Sequence, residues 1–210
     1  MSDQTTHRVL LIIADISGYT KFMVSSDMEI EHSQHVISEL IQTIIRQVEI
    51  PLEIAKLEGD AIFLYVKKDS GTFAWKDIRK VMGEKLILFF DAFHEKLHEL
   101  ASHTSCACGA CSNLHALKLK IVAHSGEALF YQIHQFNELS GSDVILVHRL
   151  LKNSAANDEY LLLTEPAFGD IRFPCQLPVE EGSESYEHLG QVKTFVYSLR
   201  DESDKRATRA

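Results

Sequence analysis

An apolar run that ends in an aspartate constrains the fold more than any other feature of this chain. The run covers residues 8–14, is apolar from Val9 onward, and is followed directly by Asp15. Continuous apolar character of this length is typical of a central strand that is buried on both faces. A second aspartate, Asp60, lies in a Glu-Gly-Asp turn between the segments 52–57 and 61–66. Those two segments and their turn predict a β-hairpin.

The two aspartates are candidate metal ligands. A carboxylate that leaves a buried strand is poorly solvated, so it requires backbone N–H donors, a cation or both. If the two strands are neighbours, Asp15 and Asp60 would form a hard-oxygen site for one or two Mg²⁺ or Mn²⁺ ions. The alternative for Asp15 is a turn residue whose carboxylate accepts hydrogen bonds from the N–H groups of Ser17 and Gly18.

Helical and strand patterns alternate along the rest of the chain. Apolar residues recur at helical spacing, which predicts helices over 29–48, 77–101 and 143–153. Further strands are expected at 117–123 and 128–133, paired around His124-Ser125-Gly126, and at 160–164 and 194–199. This order predicts an α+β fold of ferredoxin-like type, in which helices pack on one face of a mostly antiparallel sheet.

Length and charge limit the function classes. The 210 residues fit one domain, predicted over 1–200, with a cysteine-rich insertion at 102–113 and a flexible charged tail at 201–210. The net charge of -9 argues against nucleic acid and anionic membranes as partners. Because no apolar run has the length of a membrane span or the form of a signal peptide, we expect a soluble cytoplasmic protein.

Four short motifs resemble those of the class III adenylyl/guanylyl cyclase catalytic domain. They fall in the same order and at similar spacings, between residues 8 and 164. The motifs are Asp15-Ile-Ser-Gly-Tyr-Thr-Lys-Phe22, Lys56-Leu-Glu-Gly-Asp60, His124-Ser-Gly126, and Gly141-Ser-Asp-Val144 followed by Arg149-Leu150. The resemblance implies a cyclase-type fold. The chain is most similar to a divergent bacterial branch of this superfamily, in which a Cys-x-Cys-x-x-Cys loop and the string His-Arg-Leu-Leu-Lys-Asn recur.

The resemblance also implies roles for individual residues. Asp15 and Asp60 would bind the metal ions, with the Ile16 carbonyl as a further ligand. A nucleoside triphosphate would be wrapped by the backbone of Ser17, Gly18, Tyr19 and Thr20. Lys56 would recognise adenine, Glu138 would accept its amino proton, and Arg149 would stabilise charge on the reacting phosphate. The active site would be shared between the two chains of a homodimer.

Two departures from the family pattern bear on activity. Ile145 aligns with the asparagine that orients the ribose, and it has no hydrogen-bonding side-chain atom. The lysine that grips the terminal phosphates has no clear counterpart, and the nearest candidate is Lys193. Two functions therefore stay open. One is Mg²⁺- or Mn²⁺-dependent conversion of ATP to cyclic AMP with weakened or lost activity, and the other is an inactive sensor of a nucleotide or small ligand.

The cysteines suggest a third function. Cys106, Cys108 and Cys111 lie within six residues, and Cys175 stands apart. The cluster predicts a zinc site whose fourth ligand is Cys175, His103 or His115. The alternatives are a redox-sensing dithiol and a loop of small residues with neither role. Either the zinc site or the redox-sensing dithiol would make the chain a metal- or thiol-based regulatory protein. His32 and His35 are three residues apart on the first predicted helix, and we expect them to face solvent.

Overall fold

A computed structural model describes residues 4–24, 30–69, 71–103 and 109–198 of the chain. The strands are β1 Thr5–Ser17, β2 Glu53–Glu58, β3 Ala61–Lys67, β4 Lys118–Ile133, β5 Phe136–Ser140, β6 Tyr160–Thr164, β7 Val179–Tyr186 and β8 Gly190–Tyr197. The α-helices are α1 Tyr19–Val24, α2 Ile30–Ile45, α3 Trp75–His103, α4 Gly109–Ser112, α5 Ser142–Arg149 and α6 Glu165–Asp170. A 3₁₀ turn at Leu114–Ala116 precedes β4.

The strands form one sheet in the order β2-β3-β1-β4-β6-β8-β7, and β5 pairs with β4. Every neighbouring pair is antiparallel except β4 and β6, which are parallel. The predicted α+β fold with a mostly antiparallel sheet is therefore confirmed. No helix among the described residues combines the length and the apolar character that a bilayer span requires.

β1 is an interior strand of the sheet, and its side chains enter a core on both faces. Leu10 and Ile12 belong to the core formed with α2 and α3. Val9, Leu11 and Ile13 belong to a second core, which includes Val144, Leu146, Val147 and Leu150 of the α5 region. The two long helices therefore share one face of the sheet, and the short helix α5 covers part of the other.

The helical spacing seen in the sequence explains how α2 and α3 pack. On α2 the buried apolar residues are Val36, Ile37, Leu40, Ile41 and Ile44. On α3 they are Ile78, Met82, Leu86, Phe89, Phe90, Ala92 and Phe93. Residues three and four apart lie on the same side of a helix, so each set forms one stripe toward the sheet.

The prediction of two strands around His124-Ser125-Gly126 was wrong. β4 runs through these residues without a turn, because β1 pairs with it along its whole first part, with Leu11 opposite His124 and Val9 opposite Gly126. The edge strand β7 was also missed, since most of its side chains are exposed and it lacks apolar alternation. In the predicted insertion at 102–113, residues 104–108 lie outside the described chain, as does the predicted tail at 201–210.

Candidate functional site

The two predicted metal-binding aspartates meet at one end of the central strands. Asp15, near the end of β1, has Ala61 of β3 and Lys120 of β4 as its cross-strand neighbours. Asp60 lies in the turn directly before β3, and its backbone carbonyl accepts a hydrogen bond of 3.2 Å from the Ile16 N–H. The hairpin turn is therefore fixed against the end of β1, which places both carboxyl groups in one cluster.

The two carboxyl groups interact electrostatically. Burial and the charge of Asp15, together with a hydrogen bond between the two side chains, raise the pKa of Asp60 to about 6. The Lys120 ammonium nitrogen lies 2.9 Å from Asp15 Oδ2. Burial alone would lower the pKa of Lys120, but its hydrogen bond and attraction to Asp15 leave that pKa above its ordinary value. One lysine thus partly neutralises two carboxylates.

The donor atoms of this cluster suit a hard divalent cation. Mg²⁺ and Mn²⁺ prefer carboxylate, carbonyl and water oxygens, and Mg²⁺ is commonly held by one or two carboxylates plus phosphates. In the part of the chain that the structure describes, no group of three or more His, Cys, Asp or Glu side chains is placed to hold a metal ion. The carboxylates at this position are those of Asp15 and Asp60. Lys120 was not identified from the sequence.

The segment predicted to wrap a triphosphate follows Asp15 directly. Ser17 is the last residue of β1, and Tyr19 and Thr20 begin α1. Gly18 makes the bend between them with a positive φ of 86°, and a Cβ at this position would lie 2.7 Å from the Ala116 carbonyl oxygen. Only glycine fits both requirements. The bend keeps the backbone of 17–20 next to the acidic pair.

The residues predicted to recognise the base form an ion pair within one chain. Lys56 Nζ, on β2, lies 3.1 and 3.3 Å from the two carboxylate oxygens of Glu138 on β5. Both residues line a cleft of about 70 Å³ that also includes Phe63 and His148. The structure therefore places a hydrogen-bond donor and an acceptor side by side at this cleft.

His148 and Glu58 extend this cleft and were not identified as site residues. His148 Nε2 lies 3.2 Å from Glu58 Oε2, and its Nδ1 lies 2.8 Å from the Val144 carbonyl oxygen. Glu58 precedes the Gly-Asp turn that carries Asp60, so the cleft and the acidic pair are connected through the same hairpin. The string His-Arg-Leu-Leu-Lys-Asn contains His148, but nothing in the sequence indicates its distant partner.

α5 carries Arg149 at its end, and Arg149 is exposed. Ile145 lies one helical turn earlier and is 54% exposed, so it offers an apolar surface on the same side of the helix. Lys193 pairs with Glu181 at 2.9 Å on the β7–β8 hairpin. Because β4 and β6 separate β8 from β1, Lys193 is not part of the acidic cluster.

The His124-Ser-Gly126 motif contacts the motif that begins at Gly141, and these contacts hold α5 on the sheet. The Asp143 carboxylate accepts a 2.7 Å hydrogen bond from the Glu127 N–H and lies 3.2 Å from His124 Nε2. His124 Nδ1 lies 2.8 Å from the Thr164 hydroxyl. Burial lowers the pKa of His124 despite the nearby Asp143 charge. Gly126 leaves room for this arrangement, since a Cβ there would lie 2.2 Å from Asp143 Oδ2.

The predicted zinc ligands are only partly within the described residues. Cys106 and Cys108 lie outside them, as does the side chain of His103. Cys111 is half-buried, with its sulfur 3.7 Å from His32 Nε2. Cys175 and His115 are exposed. His32 is half-buried against Cys111, so the prediction that it faces solvent was wrong.

Comparison with known proteins assigns the chain to a family. Residues 37–160 match the family described as Protein of unknown function (DUF2652). The chain is also 31% identical over 163 residues to "Uncharacterized protein Rv2561/Rv2562" of Mycobacterium tuberculosis, covering 78% of this chain and 73% of that protein. The chain belongs to the DUF2652 family.

Solved structures with a similar fold include a guanylyl and an adenylyl cyclase. The guanylyl cyclase Cya2 is similar with a TM-score of 0.66, at 12% identity, over 93% of both chains. The adenylyl cyclase CyaB from P. aeruginosa is similar with a TM-score of 0.65, at 14% identity, over 95% of this chain and 98% of that one. At such identities the likeness shows that the DUF2652 chain has a cyclase-type fold.

Proposed function

We propose that this DUF2652 chain is a nucleotide-binding domain that holds a nucleoside triphosphate together with a divalent cation. The observation that carries the proposal is the convergence of Asp15 and Asp60, which the sequence separates by 45 positions. The bend at Gly18 and the cleft at Lys56 lie on the same chain and suit phosphate and base. The cyclase-type fold supports the same assignment.

The acidic pair is the proposed metal site. Asp15 and Asp60 would hold Mg²⁺ or Mn²⁺, with the Ile16 carbonyl as an additional ligand. A cation bound there would neutralise both carboxylates and the phosphates of the nucleotide. The backbone from Ser17 to Thr20 supplies N–H groups to phosphate oxygens. Lys120 orients Asp15 through their ion pair.

The base would be recognised by the Lys56–Glu138 pair. A lysine donates hydrogen bonds and a carboxylate accepts them, so the pair is complementary to the acceptor nitrogen and amino group of adenine. This favours ATP over GTP. For the base to bind, the two side chains must exchange part of their mutual hydrogen bonding for bonds to the nucleotide. We propose a homodimer in which the acidic pair of one chain faces the Lys56 cleft of the other.

The proposal extends from nucleotide binding to catalysis, and two side chains argue for weak turnover. Ile145 provides no hydrogen bond to a ribose, and Lys193 pairs with Glu181 away from the acidic cluster. Loss of one side-chain donor from such a site costs about 10²–10³ in rate. The first candidate is thus a slow ATP cyclase in which Arg149 stabilises phosphate charge. The second, favoured by Ile145, is a sensor that binds ATP without turnover.

Titration calorimetry of the full chain with ATP tests the binding proposal. We expect binding that requires Mn²⁺ or Mg²⁺, that Asp15→Asn removes, and that Asp91→Asn preserves. Asp91 is an exposed residue of α3 and serves as the matched control. Lys56→Ala should weaken ATP binding while leaving Mn²⁺ binding intact. If neither ATP nor GTP binds with either metal, the proposal fails.

Turnover separates the two candidates. Incubation with ATP and Mn²⁺, followed by chromatography, detects cyclic AMP if the domain is a cyclase, and Arg149→Ala should then abolish the product. Binding without product identifies the sensor. Sedimentation of the same samples measures whether two chains associate.

A further inference from the structure

Lys120 stands between two polar neighbours on the sheet face that carries the acidic pair. It lies opposite Asp15 of β1 and opposite Tyr160 of β6. Residues directly opposite each other on neighbouring strands project to the same face of a sheet. The three side chains therefore form one row across β1, β4 and β6, and Asp60 adds its carboxyl group beside Asp15.

The contacts on both sides of Lys120 hold its ammonium group at the acidic pair. The nitrogen lies 2.9 Å from Asp15 Oδ2, and both side chains are mostly buried. On the other side, Tyr160 is buried, and its hydroxyl accepts a hydrogen bond of 2.6 Å from Asn153 Nδ2. The lysine is thus enclosed between two neighbours that are themselves held in place.

The acidic pair has few oxygen atoms to share among several cations. The Lys120 ammonium already occupies one of them, Asp15 Oδ2. Among residues 4–24, 30–69, 71–103 and 109–198, no third His, Cys, Asp or Glu side chain joins the pair to make a metal-binding group. Mg²⁺ binds through one or two carboxylates and completes its octahedral shell with water and phosphate oxygens. One ion fits this supply, whereas a second ion would have to displace the lysine.

We propose that the Lys120 ammonium takes the place of a second divalent ion, so that the acidic pair binds one Mg²⁺ or Mn²⁺ together with the nucleotide. This inference rests on the proposed function and answers the question of one or two ions that the sequence left open. A lysine ammonium is a compact positive charge with three donors. It neutralises part of the acidic pair and requires no oxygen ligands beyond those it finds there.

The same charge makes binding of the metal depend on the nucleotide. A unit charge about 4 Å from a divalent ion weakens its binding at least about tenfold, even with the screening of bulk water. Lys120 therefore lowers the affinity of the acidic pair for a free metal ion. The phosphates of a nucleotide bring negative charge that offsets this repulsion, so the metal enters together with the triphosphate.

Metal affinity without nucleotide tests the role of Lys120. The paramagnetic resonance signal of free Mn²⁺ is followed as each full-length chain is added. Lys120→Met removes the charge and keeps the length of the side chain, and it should bind Mn²⁺ at least about tenfold more tightly than the wild type. Lys120→Arg keeps the charge and should stay close to the wild type. So should the matched control Lys80→Met, which alters an exposed lysine of α3.

The number of ions bound with the nucleotide needs no variant. Equilibrium dialysis of the wild-type chain against Mn²⁺ and a non-hydrolysable ATP analogue measures both ligands by their excess on the protein side. We expect one manganese per bound nucleotide. Two manganese ions per nucleotide would overturn the inference, and so would a folded Lys120→Met chain that binds Mn²⁺ no more tightly than the wild type. Absence of nucleotide binding would instead remove the proposed function, and the comparison without nucleotide would still decide the role of Lys120.

Discussion

The acidic pair makes a prediction about stability that distinguishes its two members. Burial and the Asp15 carboxylate raise the pKa of Asp60 from 3.8 to about 6. A raised carboxyl pKa means that the folded protein holds this proton more tightly than the unfolded chain does. The folded state is therefore favoured at low pH, and this advantage is lost as the pH rises from about 4 through 6.

The size of the effect follows from the same values. At about 1.4 kcal/mol per pH unit, the difference between 3.8 and about 6 sets an upper limit of about 3 kcal/mol. Asp60 is only partly buried, so solvent screening reduces this, and we expect about 1–2 kcal/mol. Asp60→Asn removes the charge with nearly unchanged shape. At pH 8 without divalent ions, the variant should be more stable by that amount, and at pH 4 the two proteins should be equal.

Asp15→Asn should change the free energy of unfolding in the opposite direction, so it serves as a control within the same cluster. It removes the ion partner of Lys120, whose side chain is only 20% exposed. A loss of about 1–3 kcal/mol at pH 8 is expected, because Lys120 loses its hydrogen-bonded partner and keeps only its attraction to Asp60. Urea unfolding at pH 4, 6 and 8, in the presence of chelator, measures both variants. If Asp60→Asn destabilises the protein at pH 8, or shifts stability equally at all three pH values, the carboxyl groups do not repel each other as described.

Two packing predictions test the fold around the site. Gly126→Ala should cost about 2 kcal/mol in stability, because the new Cβ would displace the Asp143 carboxylate from the Glu127 N–H. Its control, Gly169→Ala, places a Cβ in open space and should cost less than about 1 kcal/mol. Phe93→Ala should cost about 3–5 kcal/mol in stability, because the ring is fully buried. Its control, Leu88→Ala, removes a side chain that is 38% exposed and should cost less than about 1 kcal/mol. Thermal unfolding of the four variants measures these differences, and equal losses within either pair would contradict the packing described.

The sequence predicted those parts of the fold that have a strong local pattern. The apolar run ending at Asp15 predicted β1, since a strand buried on both faces needs no polar alternation. The Glu-Gly-Asp turn predicted the hairpin of β2 and β3. β7 has no such pattern, because it is a polar edge strand held by its pairing with β8. Charged edge strands of this kind discourage sheet-to-sheet aggregation, and they leave little trace in hydropathy.

Contacts between distant segments could not be read from the sequence. Lys120 looked like an ordinary polar position of an alternating strand, and only the register of β1 against β4 places it opposite Asp15. His32 and Cys111 are 79 residues apart, and no local rule relates a helix start to a later cysteine segment. The proximity of Asp15 and Asp60 was expected from their positions at the ends of two strands and from the motif resemblance, which supplies long-range information that strand patterns lack.

The location of a bound metal tests the central claim most directly. Crystals of the full chain grown with Mn²⁺ and a non-hydrolysable ATP analogue would show manganese through its anomalous scattering. The account predicts an anomalous peak between the carboxylates of Asp15 and Asp60, with the triphosphate against the bend at Gly18. A nucleotide bound elsewhere, or manganese absent from the acidic pair while the analogue is present, would contradict it.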